Sequence, residues 1–134
     1  MSVNGSALDD EFATTTFGAL ELDPTGKGQH EAGAKLDAGK NRLGLVLLGF
    51  ARALDEVGKV GTYGAEKYTD DGWKQVVRGG DRYTDAMFRH LLAEQIEGEV
   101  DSETELFHKA QMAWNALARL EWFLMELDEE GGVR

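Results

Sequence analysis

Between Arg89 and Asn115 the chain sets two of its three histidines among a dense group of carboxylates. The stretch reads Arg89-His90, then Glu94, Glu97, Glu99 and Asp101, and after a short polar gap His108, Gln111 and Asn115. On a helix, His90, Glu94 and Glu97 fall at i, i+4 and i+7 and share one face. Carboxylate oxygens placed this way suit a hard divalent cation such as magnesium or manganese, and a pair one turn apart can share an ion. Imidazoles beside them can serve as ligands, as bases or as supports behind the ligands. Phe88, Leu91, Leu92 and Ile96 occupy the other side of the same wheel, so the spacing equally describes an amphipathic helix with its acids in water. Spacing alone leaves both readings open.

Two helices must position this stretch. Asp81, after Gly79-Gly80, can cap a helix over residues 81–98. Ser102 with Glu105 three positions on is a capping-box pattern, which predicts a second helix over 103–127. Leu106, Ala110, Ala113, Leu117, Leu120, Leu124 and Leu127 repeat along it in steps of three and four, an apolar seam suited to packing. His108, Gln111, Asn115 and Arg119 form a polar stripe away from that seam, and Phe107, Trp114 and Met125 flank the stripe. A stripe so flanked reads as the wall of a polar cleft.

Upstream, an apolar period predicts a first helix over 43–60, after which Gly58, Gly61 and Gly64 signal a break or a close backbone approach. Tyr63, Lys67, Tyr68 and Trp73 cluster around the turn signal Asp70-Asp71-Gly72. They could stack a base and touch a phosphate, or plug the end of a small core. Lys35-Leu36-Asp37-Ala38-Gly39-Lys40-Asn41-Arg42 places three cations around a Gly-centred turn, a phosphate clamp or ordinary solubilising charge. Residues 1–34 carry the single proline and no sustained period, and read as an irregular arm that Phe12, Phe17, Leu20 and Leu22 could anchor on a neighbour. Residues 35–128 then form the helical domain, and 129–134 an acidic tail.

Composition narrows the function classes. Fourteen basic against twenty-five acidic residues give a net charge of −11, which argues against nucleic acid as a partner. No cysteine is present, so disulfides, thiolate catalysis and zinc ribbons are excluded. The longest apolar run, near Leu45 to Ala51, is too short to span a bilayer, and no signal-peptide pattern opens the chain. A cytoplasmic protein without a membrane partner is expected.

Taken in order, Lys35-x-Asp37-x-Gly39-Lys40-x-Arg42, Tyr63-Gly64-Ala65-x-Lys67-Tyr68 with Trp73, Arg89-His90, Asp101, and His108 through Trp114-Asn115-Ala116-Leu117 resemble the phage dATP/dGTP diphosphohydrolases. That group is a branch of the MazG-like nucleoside triphosphate pyrophosphohydrolases, and the likeness runs from about Lys35 to Glu121, nearest to the cyanophage MazZ type. It implies an all-α helical bundle that assembles as a dimer or tetramer. It also implies hydrolysis of a deoxypurine triphosphate, dGTP before dATP, to the monophosphate and pyrophosphate with two or more Mg²⁺ or Mn²⁺ ions. Glu94, Glu97, Glu99, Asp101 and His108 would then hold metal, with Glu94, Glu97 and His90 catalytic. Lys35, Asp37, Lys40, Arg42, Tyr63, Lys67, Tyr68, Trp73, Arg89 and Asn115 would bind the nucleotide.

The pattern departs from the family in one place. MazG-like enzymes carry an ExxE pair on one helix and an ExxD pair on the next. Glu94 and Glu97 fit the first, but the second reads His108-x-x-Gln111. The contrasting expectation is a non-catalytic helical oligomer whose acidic face merely solvates it. Cleavage chemistry would need cations between the carboxylates and the triphosphate, because the two repel.

Overall fold

The computed structural model describes residues 21–131, which are helical apart from turns and one isolated antiparallel bridge between Val100 and Phe107. The all-α expectation holds. Phe12, Phe17 and Leu20, the proposed anchors, lie outside the described residues, as do residues 132–134. The chain divides into two compact units, residues 1–45 and 46–134.

In the first unit, Asp23 organises a turn. Asp, Pro and Gly occupy the positions a type I turn favours, and the Gly26 amide donates to the Asp23 carbonyl at 3.0 Å. The Asp23 carboxylate accepts from the Thr25 hydroxyl and from the Lys35 amide at 2.7 Å; these bonds hold its pKa down to about 2. Lys35 to Arg42 forms the expected glycine-centred turn, with Gly39 at φ 76° and Lys40 paired to Glu21 at 3.4 Å.

A short helix, α1 (Gly44–Leu47), leads into the second unit, which holds α2 (Ala51–Lys67), a 3-10 turn (Gly72–Gln75), α3 (Gly79–Glu97) and α4 (His108–Glu129). The first helix expected over 43–60 is therefore two, and the longer one runs straight through Gly58, Gly61 and Gly64. Gly61 alone of the three marks a close approach, since a Cβ there would lie 3.4 Å from the Trp114 indole nitrogen, while Gly58 and Gly64 meet open space. α3 and α4 pack most extensively, and α2 packs on α4. Their contacts run in opposite order, His90 meeting His108 while Thr84 meets Arg119, so the pair is antiparallel.

Helix starts differ from expectation for steric reasons. α3 begins at Gly79, ahead of the predicted Asp81 cap, after Arg78 turns the chain at φ 56°. Gly79 is buried under Trp122, whose indole would overlap any Cβ placed there, and that indole is tethered by its N–H to the Trp73 carbonyl at 3.2 Å. Gly79→Ala is expected to destabilise the protein by about 1–3 kcal/mol through overpacking, measurable by urea denaturation, whereas Gly80→Ala meets open space and should not.

α4 starts at His108, five residues later than the capping box predicted. Ser102 donates instead to Glu97 at 3.3 Å, and the first-turn amide of His108 is satisfied by the Glu99 carbonyl at 2.9 Å. Residues 99–108 close into a tight loop through Asp101 N–H to Leu106 O at 2.9 Å and Glu105 N–H to Asp101 O at 2.8 Å, with Glu105 forced to φ 61°.

The seam reading holds at Ala110 and fails at Ala113, Leu117 and Leu120, and most of the polar stripe is buried instead. His108, Gln111, Asn115, Ala110 and Ala118 are the buried positions of α4, whereas Leu117 is 52% exposed. On α3 the face of His90 and Glu94 turns inward, and Phe88, Leu91, Leu92 and Ile96 face outward, Ile96 at 85% exposure. The α3–α4 contact mixes polar side chains around His108 with aromatic ones, Tyr83 against Trp114 and Trp122 over Gly79, and the outward rows are apolar.

Candidate active site

The inward faces of α3 and α4 and the loop between them converge on His108, which is 1% exposed. Its Nε2 lies 2.6 Å from Glu97 Oε1 and its Nδ1 3.0 Å from His90 Nδ1. A carboxylate can only accept, so Nε2 of His108 carries hydrogen, and in the neutral ring Nδ1 is left to accept from Nδ1–H of His90. That assignment leaves Nε2 of His90 with a free lone pair.

Asp101 closes the group from the loop. Its carboxylate accepts from Gln111 Nε2 at 2.9 Å and from the Glu103 amide at 2.9 Å. Burial pushes the Asp101 pKa up, but the Gln111, Glu103 and Thr104 hydrogen bonds outweigh it and the carboxyl sits below its ordinary value. His90, Asp101 and His108 each offer a ligand atom, and these atoms lie within 4.8 Å of one another. Sequence spacing placed His90 with Glu94 and Glu97 on one face. It gave no route to the meeting of His90 with His108 and Asp101, which depends on how the loop closes.

Glu94 and Glu99 are brought together by a residue that sequence reasoning missed. Lys109 Nζ lies 2.9 Å from Glu94 Oε1 and 2.6 Å from Glu99 Oε2, and both bonds raise its pKa, the one to Glu94 most. Its partners stand fifteen and ten positions away across the loop. No helical spacing rule connects them. The other carboxylate oxygen of Glu94 is buried with no hydrogen-bond partner. Gln111, noted as part of the polar stripe, was likewise missed as the support that fixes Asp101.

The remaining expected site residues are spread more widely. Lys35, Asp37, Lys40 and Arg42 belong to the first unit. Tyr63 and Lys67 lie on the last turns of α2, with Lys67 3.4 Å from Glu103 and 5.4 Å from the ring centre of Tyr68. Trp73 packs edge-to-face against Tyr83 and Trp114, at 6.3 and 5.5 Å between ring centres. Arg89 is exposed, and Asn115 is buried with its amide donating to the Gln111 carbonyl at 2.7 Å.

Burial lowers the pKa of His90, with His108 and Arg89 adding repulsion against the pull of Asp101 and Glu97. The folded state therefore binds this proton less readily than the unfolded chain. Stability present above the ordinary imidazole value near 6.5 is lost as pH falls through the lower folded value. With chelator present, the thermal midpoint should fall on acidification from neutral pH, and His90→Gln should flatten that slope. An unchanged slope in the variant would assign the effect to other groups.

Fold and cluster together define an all-α protein with an ionisable, part-buried cluster between two antiparallel helices. A family model described as dATP/dGTP diphosphohydrolase, N-terminal, matches residues 30–130, and the chain belongs to that family. It is a hydrolase acting on nucleoside triphosphates. Neither the curated proteins nor the solved structures contain a match. Among the described residues no helix is long and apolar enough to cross a membrane.

Proposed function

We propose that the chain is a MazG-like pyrophosphohydrolase that converts a deoxypurine triphosphate, dGTP in preference to dATP, to the monophosphate and pyrophosphate with Mg²⁺ or Mn²⁺. The observation that carries this reading is the donor set at the α3–α4 contact. Buried carboxylate and imidazole groups converge there, and one Glu94 oxygen has no partner among the described residues. Lys109 holds one oxygen of Glu94 and the other is open to a further partner, so the residues can take a metal beside the ammonium. When bound, such ions lower the pKa of an attacking water and offset phosphate charge.

The chain's own groups supply the rest. Glu94, Glu97, Glu99, Asp101 and His108 furnish donors, and Gln111 and Thr104 orient them from behind. His90, whose pKa burial lowers, can accept a proton or join the metal donors. Lys35, Lys40, Arg42, Lys67 and Arg89 are the cations available to triphosphate oxygens, and Asp37, Tyr63, Tyr68, Trp73 and Asn115 are the remaining nucleotide contacts in this reading.

The outward apolar rows of α3 and α4 support assembly as a dimer or tetramer, because exposed patches of this kind mark interfaces. A cytoplasmic location suits the substrate. The non-catalytic alternative gives way to the family membership.

The test is a panel of deoxy- and ribonucleoside triphosphates with chromatographic separation of products. Release of pyrophosphate and dGMP, fastest from dGTP and abolished by chelator, is the expected result. Orthophosphate release, or indifference to chelator, would reject the proposed reaction.

A further inference from the structure

We propose that His90, Asp101 and His108 form a nitrogen-rich metal site that takes a borderline transition cation, such as Co²⁺, Zn²⁺ or Fe²⁺, in strong preference to Mg²⁺. The inference narrows the metal of the hydrolase reading at these three residues from Mg²⁺ to a transition cation, and rests on that reading only for the purpose of the ion.

The donor chemistry carries it. Two imidazoles and one carboxylate are a softer set than the all-oxygen shell magnesium demands, and affinity at such sites rises along the first transition row toward copper. The Nδ1 atoms of the two rings lie 3.0 Å apart. Two metal–nitrogen bonds of about 2.1 Å span roughly 3.0 to 3.4 Å between right and tetrahedral angles, so the two nitrogens stand close to the spacing of neighbouring ligands of one ion. Binding it would shift the His90 hydrogen from Nδ1 to Nε2, so that both Nδ1 lone pairs are available to the ion. Asp101 is fixed by Gln111, and His108 by Glu97, the carboxylate-behind-imidazole arrangement that orients a ligating ring.

The hard-ion alternative is weaker at its expected place. Glu94 and Glu99 are bridged by the Lys109 ammonium at 2.9 and 2.6 Å, so a magnesium ion there must first displace a resident cation. Among the described residues no ammonium pairs with His90, Asp101 or His108.

The experiment is calorimetric titration of nucleotide-free protein, stripped by chelator, with Co²⁺, Zn²⁺, Mn²⁺ and Mg²⁺ in turn, together with the visible spectrum of the Co²⁺ complex. One Co²⁺ or Zn²⁺ per chain should bind at least about a hundredfold tighter than Mg²⁺. His90→Gln should weaken Co²⁺ by at least about tenfold and alter its spectrum; Asp101→Asn, which spares the buried histidine, should do the same. Equal affinity for Mg²⁺ and Co²⁺, or a His90→Gln protein with unchanged Co²⁺ affinity and spectrum, would overturn the assignment. Hydrolysis of dGTP with Mg²⁺ and no tight Co²⁺ site would sink this inference and leave the hydrolase standing. Tight Co²⁺ held through His90 without any nucleotide hydrolysis would do the reverse.

Discussion

Glu94→Gln and Glu97→Gln are each expected to lower kcat by roughly a hundredfold or more at saturating metal, with little change in helical content. The swap keeps volume and removes a charge. At Glu94 it places an amide where a buried carboxylate oxygen lacks any donor, so an incoming cation loses its anionic partner. It also replaces a charged acceptor of the Lys109 ammonium by a neutral amide oxygen, which leaves Glu99, at 2.6 Å, as its anionic partner. At Glu97 the variant loses the anionic acceptor for Nε2 of His108, so the ring is no longer held in one tautomer. Turnover within about threefold of the parent in both variants would take these residues out of the site, since the loss of even a supporting partner usually costs more.

The second large effect concerns assembly. Ile96→Asp and Leu92→Asp place a charge in the middle of the outward apolar row of α3 while touching nothing inside the α3–α4 contact. Each is expected to shift a dimer or tetramer to monomer, read by light scattering during size-exclusion chromatography. A charge buried in an interface without a partner costs several kcal/mol, enough to move dissociation by roughly a thousandfold. If the parent chain already elutes as a monomer at micromolar concentration and hydrolyses nucleotide, the interface proposal is wrong.

What the sequence could and could not tell follows from these two cases. Periodicity showed correctly that His90, Glu94 and Glu97 share a face and that Phe88, Leu91, Leu92 and Ile96 share the other. It could not say which face is inside. The usual inference, apolar inward, assumes that one chain hides its own core, and here the α3–α4 contact buries most of the polar stripe. The same assumption misplaced Leu117, read as a packing residue and found half exposed. Helix starts failed at Gly79 and His108 because the deciding contacts, Trp122 on Gly79 and Glu99 on the His108 amide, come from residues remote in sequence or from loop closure. The ordered motifs from Lys35 to Asn115 were enough for the family. The Lys109 bridge and the Gln111–Asp101 bond were not legible, because long side chains meeting across a loop leave no period.

The closed loop over residues 99–108 has a thermodynamic consequence for catalysis. Asp101 is held by its own backbone bond to Leu106, by the Glu103 amide and by Gln111, so its position is settled when the chain folds. A substrate arriving at such a site need not spend binding energy on ordering that carboxylate, which would otherwise cost about 0.5–1.5 kcal/mol for each side chain immobilised. That saving is available for distinguishing the transition state from the ground state, so loosening the loop, for instance by Gln111→Ala, should depress kcat more than it raises KM.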